Sequence, residues 1–297
     1  MIENKSVMSH IRVLFTYFIV VSAGVICFFP LWNMVCLSFS SSAAITADKV
    51  TIFPVDFHLE SFAAILEDMQ FWSSFFLSVK RVAIGWGINI VVMVLTAFPL
   101  TRTEEEFRGR NIYMGLLIFA MLFNGGMVPT YLVVKNLGMI NTIWALVLPS
   151  AIPIFNVIMV KNFFLSIPAS LEEAAKMDGA TPLQVLMRVY VPCSKPVLAT
   201  VSLFSIVSHW NDYLSGLIYM TKVKHYPLMT YIQGISVDLQ QLVEDGATAD
   251  ELEQAAQVNN MGLNAAKIVV AVIPLLMIYP LLQKYLITGI TIGAVKE

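Results

Sequence analysis

Residues 166–192 read SIPASLEEAAKMDGATPLQVLMRVYVP, and their spacing predicts two short helices joined by a tight corner. Ser170 can cap the first helix, and Glu173, three residues later, can complete a capping box. Gly179 stands where a helix end needs a left-handed residue, because glycine adopts that conformation without steric cost. The first helix is therefore expected to end at a defined corner.

The second helix of this stretch carries its own start and stop signals. Thr181 can cap it, Pro182 occupies its first turn, and Gln184 repeats the capping-box pattern. Pro192 predicts its end. Two capped helices are more than a connector needs, so the geometry favours a rigid knob presented to a partner. An amphipathic connector lying on a membrane surface is the alternative.

The composition around this stretch indicates an integral membrane protein. Of 297 residues, 58% are hydrophobic and 13% are charged, and the mean hydropathy is +0.75. A soluble domain carries roughly 25% charged residues. The formal charge of −2 offers no basic face, so no nucleic-acid partner is expected.

Motifs that would indicate catalysis are missing from the sequence. The three cysteines form no CxxC pair, and the four histidines are scattered. The sequence contains no HExxH, GxSxG, GxGxxG or GxxxxGK[ST] pattern. We therefore expect no catalytic residue, no metal site and no cofactor on this chain.

Apolar segments of about 20 residues predict six membrane-spanning helices and an all-α, polytopic fold. The second span ends near Leu100 and begins between Phe71 and Val82. The other five are Val13–Phe39, Ile112–Val134, Thr142–Leu165, Val197–Met220 and Ile268–Ile287. Several spans contain proline, which is tolerated where neighbouring helices or a wet cavity satisfy the freed carbonyls. Ordinary kinks in a bundle and the lining of a pathway remain equally open.

The distribution of charge predicts the orientation of the spans. Arg102, Arg108 and Arg110 lie in one short turn, which the positive-inside rule places in the cytosol. The segment 221–264 is long and rich in acidic residues, so it is expected outside. Six spans then put both termini in the cytosol, and lipid surrounds the chain in a bacterial cytoplasmic membrane.

Lys80 and Arg81 lie near the uncertain start of the second span. A start at Val82 would let both side chains snorkel at the outer surface, and we favour this interpretation. A start at Phe71 would bury them against a cavity or an acidic partner.

The 166–192 stretch also resembles a known signature. Glu173-Ala174-Ala175, three residues, Gly179, nine residues and Val189-x-Val191-Pro192 match the EAA loop of binding-protein-dependent ABC importer permeases, with valine for isoleucine and for leucine. The ending Gly289-Ile-Thr-Ile-Gly-Ala-Val-Lys-Glu297 resembles the carbohydrate, maltose-type branch, although the last residue is Glu instead of Gly. Asn124-Gly-Gly-Met-Val-Pro-Thr-Tyr131 resembles the sub-branch associated with complex oligosaccharides. The likeness runs from about Phe71 to Glu297.

This resemblance implies the type I ABC importer permease fold and a set of partners. A second permease subunit, as a heterodimer, completes the pathway, and two ATPase subunits carry ATP and magnesium. An extracellular binding protein delivers carbohydrate, expected to be an oligosaccharide. Residues 1–70 would form an N-terminal span with an outer loop, and residues 71–297 the permease core with a cytosolic coupling loop at 166–196 and the outer loop 221–264.

The resemblance also implies where the ATPase binds. The EAA loop forms coupling helices that sit in a cleft of each ATPase. The residues carried over are Glu172, Glu173, Ala174, Ala175, Asp178, Gly179 and Pro192. Glu173 either completes the helix cap or reaches a basic residue of the ATPase, and the resemblance favours the second role. The tail from Ala294 to Glu297 is a further candidate contact.

Polar residues inside the spans are candidates for the substrate pathway. Trp210, Asn211, Asp212 and Tyr213 combine aromatic faces with hydrogen-bonding groups, the chemistry that sugars require, and an ionisable residue within a span is functional by default. Packing against a partner permease is the alternative role. Asn124 is a weaker candidate, because polar residues also join helices.

Two features stay open at this point. The acidic stretch 236–260 either enters the binding protein, as the resemblance implies, or forms a solvated outer helix. A secondary transporter is the main alternative function and a membrane enzyme the second. The first needs inverted repeats and an ion site, and the second needs clustered catalytic side chains at membrane depth; neither pattern stands out.

Overall fold

The computed structural model describes residues 7–234 and 261–294, and every regular element within these ranges is helical. The expected all-α class is therefore confirmed. The helices are α1 Val7–Ser38, α2 Ser42–Thr46, α3 Glu60–Glu67, α4 Met69–Ala97, α5 Arg110–Leu122, α6 Met127–Asn136, α7 Ile143–Val147, α8 Ile154–Phe164, α9 Ala169–Met177, α10 Pro182–Cys193, α11 Lys195–Asn211, α12 Leu214–Tyr219 and α13 Met261–Ala294. Short 3₁₀ turns follow α4, α7 and α12, and residues 228–234 are also helical.

Three helices are long and apolar enough to cross a membrane alone: α1, α4 and α13. Three helix pairs, each bent by more than 40°, are together long and apolar enough for one crossing or a re-entrant loop: α5 with α6, α7 with α8, and α10 with α11. By length and composition the described residues thus provide three crossings, and up to six if each bent pair counts as one. The pair α10 with α11 covers residues 182–211, whereas the sequence predicts the fifth span at residues 197–220.

The described residues form two compact units. The first comprises residues 7–69, 234 and 261–273. Its core packs the end of α1 and α2 against Ala265 of α13, and Asp68 forms a 2.7 Å ion pair with Lys267. The indole nitrogen of Trp32 donates to the carbonyl of Ile52 at 2.8 Å, so the segment after α2 returns along α1. The division of the whole chain at residues 70 and 71 stays a prediction.

The second unit comprises residues 70–233 and 274–294. Its core gathers the end of α4, the end of α8, α10 and the start of α11. The central residues are Met93, Leu100, Val157, Val160, Phe164, Leu186 and Val201, all at most 2% exposed. The 166–196 loop is therefore packed onto the ends of three helices of the bundle.

The third predicted span, residues 112–134, is wrong as a single rod. Helices α5 and α6 meet at 114° around residues 123–126. Gly126 has φ +91°, which glycine adopts without strain. The Oδ1 atom of Asn124 accepts the Gly126 N–H at 2.9 Å, a local turn that competes with the helix.

The fourth and fifth predicted spans are also interrupted. Helices α7 and α8 bend by 50° around residues 151–153, where Pro149 and Pro153 remove helical hydrogen bonds. The fifth span, predicted as residues 197–220, stops being helical at Asp212 and Tyr213, between α11 and α12. Each break leaves backbone groups that need partners at membrane depth.

The preferred start of the second span at Val82 is wrong. Helix α4 begins at Met69, so Lys80 and Arg81 lie well inside it. Arg81 is 1% exposed and forms an ion pair with Asp212, whereas Lys80 is exposed. Burial of the arginine is possible because a carboxylate distant in sequence neutralises it.

Candidate functional site

The start of α9 differs from the predicted capping box. The helix begins at Ala169 with Pro168 as its N-cap residue, and no side chain caps it. The prediction that Ser170 caps this helix is therefore wrong. Pro168 already has a fixed φ and starts the turn, since the Leu171 N–H bonds to its carbonyl at 3.2 Å. Ser170 and Glu173 consequently lie within the helix.

The corner and the second start are formed as predicted. Gly179 follows the end of α9 with φ +77°, and the Ala180 N–H donates to the Ala175 carbonyl at 3.0 Å. The Thr181 N–H donates to Oε1 of Gln184 at 2.8 Å, and the Gln184 N–H donates to Oγ1 of Thr181 at 3.4 Å. This reciprocal box fixes the first turn of α10.

Helix α10 contains an irregular turn that the sequence did not predict. Residues Leu186–Tyr190 form a π-helical turn between the two α-helical ends of α10. The helix ends at Cys193, one residue beyond the predicted stop at Pro192. Such turns hold one additional residue and occur frequently at functional sites.

A cluster of polar side chains lies beneath α9; we call it the Glu172 cluster. It consists of Arg102, Glu106, Glu172, Lys176 and Tyr190. Glu172 pairs with Arg102, accepts the Tyr190 hydroxyl at 2.5 Å and accepts Nζ of Lys176 at 2.9 Å. The Arg102 guanidinium also lies 4.3 Å from the centre of the Phe98 ring. One buried carboxylate thus ties α9 to the segment after α4 and to α10.

The charge state of Glu172 follows from these contacts. Burial alone raises the pKa of its carboxyl group. The hydrogen bonds from Tyr190, Lys176 and Arg102, together with the charge of Arg102, outweigh burial and lower the pKa to about 2. Glu172 also raises the pKa of Lys176. Glu172 is therefore ionised and Lys176 protonated at neutral pH.

This lowered pKa predicts how the loop responds to acid. Because the pKa of Glu172 is lower in the folded than in the unfolded chain, its ionised carboxylate stabilises the fold fully at pH values above the unfolded pKa, near 4.5. This stabilisation is lost as the pH falls from 4.5 towards 2. We expect hydrogen exchange of the amides of residues 169–193, corrected for intrinsic rates, to be constant from pH 7 to about 4.5 and to accelerate below it. Glu173→Gln serves as the control and should leave this profile unchanged. Loss of protection already between pH 7 and 5 would contradict the assignment.

The opposite side of the loop is open. Glu173, Ala174, Asp178 and Gly179 are exposed, and Ala175 is half-buried against the core of the second unit. Exposed apolar side chains surround them: Leu171, Met177, Leu183 and Met187. Of the predicted coupling residues, Glu172 alone is buried, and Pro192 lies exposed in the last turn of α10.

The candidate pathway residues of the fifth span face in different directions. Trp210 is buried and meets the Phe75 ring edge-on at 5.8 Å. Asp212 pairs with Arg81, and its Oδ1 accepts the Ser215 N–H at 3.1 Å. Asn211 and Tyr213 are exposed. The structure therefore gives two of these residues internal contacts and leaves two open. The Asn124 side chain closes its own turn by accepting the Gly126 N–H.

A second polar cluster, centred on Asn89, was missed in the sequence. Its Nδ2 donates to the carbonyls of Ser150 and Ala151, both at 2.9 Å. Its Oδ1 accepts the Ser205 hydroxyl at 2.6 Å and lies 2.9 Å from Nε2 of His209. A lone asparagine in an apolar helix is a detectable signal. Arg102 and Tyr190 gave no such signal. Arg102 was explained by the positive-inside rule, and Tyr190 is one of many aromatic residues in an apolar chain.

Some predicted features lie outside the described residues. These are the acidic stretch 236–260 and the tail residues 295–297. Within residues 7–234 and 261–294, no three His, Cys, Asp or Glu side chains are grouped as a metal ion would require.

Comparison with known proteins supports one family. Residues 85–292 match the model of the binding-protein-dependent transport system inner membrane component family. Protein LplC of Bacillus subtilis is 38% identical over 273 residues, covering 92% of this chain and 90% of that protein. The polygalacturonan/rhamnogalacturonan transport system permease protein YtcP of the same organism is 36% identical over 275 residues, covering 92% and 94%.

A solved structure agrees with these relatives. A chain of a bacterial ABC transporter involved in the import of the acidic polysaccharide alginate superposes with a TM-score of 0.83 at 31% identity. The match covers 94% of this chain and 98% of that one. The family model spans most of the chain, and the two relatives and the solved structure each match more than nine-tenths of it. The chain therefore belongs to the binding-protein-dependent transport system inner membrane component family.

Proposed function

We propose that the chain is a permease subunit of an ATP-driven, binding-protein-dependent importer of oligosaccharides. The family and the EAA spacing support the importer. The names of two similar proteins support a carbohydrate as the transported substrate, because one belongs to a polygalacturonan/rhamnogalacturonan transport system and the other to a transporter involved in alginate import. These carbohydrates carry carboxylates, so acidic oligosaccharides are the favoured substrate class.

The structure of α9 is the observation that carries the coupling role. Its buried side is fixed by Glu172, and its exposed side presents Glu173 and Ala174 between apolar side chains. A helix transmits displacement only if it cannot rotate or fold back on its support. We therefore assign Glu172 to anchoring the coupling helix, and Glu173, Ala174, Asp178 and Gly179 to the contact with an ATPase.

The remaining assignments complete the transporter. A second permease subunit would form the other half of the pathway, and two ATPase subunits would bind ATP and magnesium and carry out hydrolysis. An extracellular binding protein delivers the sugar. Both termini and the 166–196 loop then lie in the cytosol. Within the pathway, the open side chains of Asn211 and Tyr213 are the favoured sugar contacts, with Asn124 as a weaker one.

A charge reversal tests the coupling role. In proteoliposomes that contain the complete transporter, assembled with partners from the neighbouring genes, Glu173→Lys should reduce ATP-dependent uptake at least about ten-fold, which corresponds to about 1.4 kcal/mol. The reason is that the reversed charge meets the basic residue expected on the ATPase. Glu105→Lys, an exposed carboxylate in the short turn before α5, is the matched control and should retain uptake within about two-fold. Wild-type uptake in Glu173→Lys would refute this contact.

A further inference from the structure

Helix α4 is continuous where the neighbouring crossings are broken. It runs unbroken from Met69 to Ala97 and contains no proline. The fourth predicted span breaks around residues 151–153, between α7 and α8, and the fifth predicted span breaks at residues 212–213, between α11 and α12. Both breaks are held by side chains of α4.

Arg81 holds the break between α11 and α12. Its Nη1 donates to the Asp212 carbonyl at 2.8 Å, and its Nη2 forms an ion pair with Oδ2 of the same residue. The other carboxylate oxygen of Asp212 accepts the Ser215 N–H and so begins α12. A single guanidinium thus satisfies both a carbonyl freed by the break and the charge beside it. In a membrane, such groups require partners from the protein.

Asn89 holds the break between α7 and α8. Its amide nitrogen donates to the two consecutive carbonyls, of Ser150 and Ala151, that the proline-containing break leaves free. Its amide oxygen accepts a hydrogen bond from the Ser205 hydroxyl and lies within hydrogen-bonding distance of Nε2 of His209; both residues are on α11. Asparagine has two donors and one acceptor oxygen, so all of its polar atoms are engaged. Replacement by an apolar residue would release two carbonyls.

The two holding residues lie on one face of α4. They are eight residues apart, with Gly85 midway, so they share a helical face at a separation of about 12 Å. All three positions are buried. At its other end α4 leads through the turn Pro99–Thr101 directly to Arg102, which pairs with Glu172 of α9. Named contacts therefore connect α9 to both breaks through one rigid helix.

We propose that Arg81 and Asn89 are positioning residues for transport, through which α4 carries the displacement of α9 to both breaks so that they move together. This proposal rests on the proposed function and adds the element that transmits the motion. Two broken crossings attached to one continuous helix cannot open or close independently. The exposed pathway residues Asn211 and Tyr213 adjoin one of these breaks, so their placement follows α4.

The ratio of sugar transported to ATP hydrolysed tests this role. In purified, fully assembled transporters in proteoliposomes, Arg81→Met and Asn89→Leu should each lower this ratio at least about five-fold while ATP hydrolysis continues. Lys80→Met is the matched control, because it removes a neighbouring charge from the exposed side of α4. It should keep the wild-type ratio. An unchanged ratio in both buried variants, or an equal fall in the control, overturns the proposal.

Conservative variants separate positioning from simple stability. Arg81→Lys keeps the positive charge but has a single terminal nitrogen, so it cannot reproduce the contacts of both Nη1 and Nη2 with Asp212. Asn89→Asp keeps the shape but lacks the NH₂ group that donates to both the Ser150 and the Ala151 carbonyls. Both should assemble and show intermediate ratios. If they show wild-type ratios while Arg81→Met and Asn89→Leu fail to assemble, the two residues act only in folding and the proposal is wrong. Absence of ATP-dependent uptake by the wild-type transporter would instead refute the proposed function.

Discussion

Glu172→Ala is expected to destabilise the permease by about 3–5 kcal/mol, the cost of removing one partner from a buried ion pair. The substitution leaves the Arg102 guanidinium, whose side chain is 17% exposed, against the Phe98 ring without its carboxylate. It also leaves the Tyr190 hydroxyl without an acceptor. We expect a matching fall in stability during unfolding in mixed micelles containing SDS, together with loss of ATP-dependent uptake.

The neighbouring carboxylate provides the control for this result. Glu173→Ala removes an exposed side chain and should change stability by less than about 0.5 kcal/mol, although it affects the proposed contact with the ATPase. The double variant Arg102→Met with Glu172→Met should be less destabilised than the sum of the single changes, because no charge is left unpaired. Equal stabilities of Glu172→Ala and Glu173→Ala would show that the Glu172 cluster does not hold α9.

Gly85→Ala is expected to destabilise the contact between α4 and α11 by about 1–3 kcal/mol, the range for overpacking a core. A β-carbon at residue 85 would lie 2.5–2.7 Å from three ring atoms of His209. The ring is 3% exposed and is held by Asn89, so it has no free space to occupy. The amount of folded permease in the membrane and its unfolding in mixed micelles measure the effect.

Two comparisons isolate the cause. Gly87→Ala lies in the same helix with nothing within 4 Å of the added atom, so it should be neutral or stabilise α4 by up to about 1 kcal/mol through helix propensity. In a His209→Ala background the space is free, and Gly85→Ala should then cost much less. A similar cost with and without the His209 ring would contradict steric exclusion as the reason.

Local signals in the sequence predicted local structure well. The Gly179 corner and the Thr181–Gln184 box needed only neighbours within a few residues, and the first and last spans needed only a long apolar run. The Ser170 cap was wrong for a local reason as well, since Pro168 had already started the helix. The 114° bend after α5 was missed because Asn124 was considered as a pathway residue instead of a turn former.

Contacts between distant segments could not be predicted in this way. Arg81 and Asp212 are 131 residues apart, and Asn89 and Ser205 are 116 apart. No periodicity within one helix indicates which partner a buried charge will meet. The sequence therefore identified Asp212 as unusual at membrane depth. Its role as the ion-pair partner of Arg81 required the structure, in which α4 lies beside it. The sequence likewise placed Glu172 and Glu173 in one set of coupling residues, whereas the structure buries Glu172 and exposes Glu173.

The π-helical turn of Leu186–Tyr190 makes the loop sensitive to its length. A π turn accommodates one residue more than an α turn. Deleting a single residue there would let α10 become regular and rotate every later position by about 100° relative to the earlier ones. Tyr190 would then leave the carboxylate of Glu172, and α11 would start in another direction. Insertions and deletions within this segment are thus far less compatible with the fold than substitutions, and the nine-residue spacing between Gly179 and Val189 has a geometric basis.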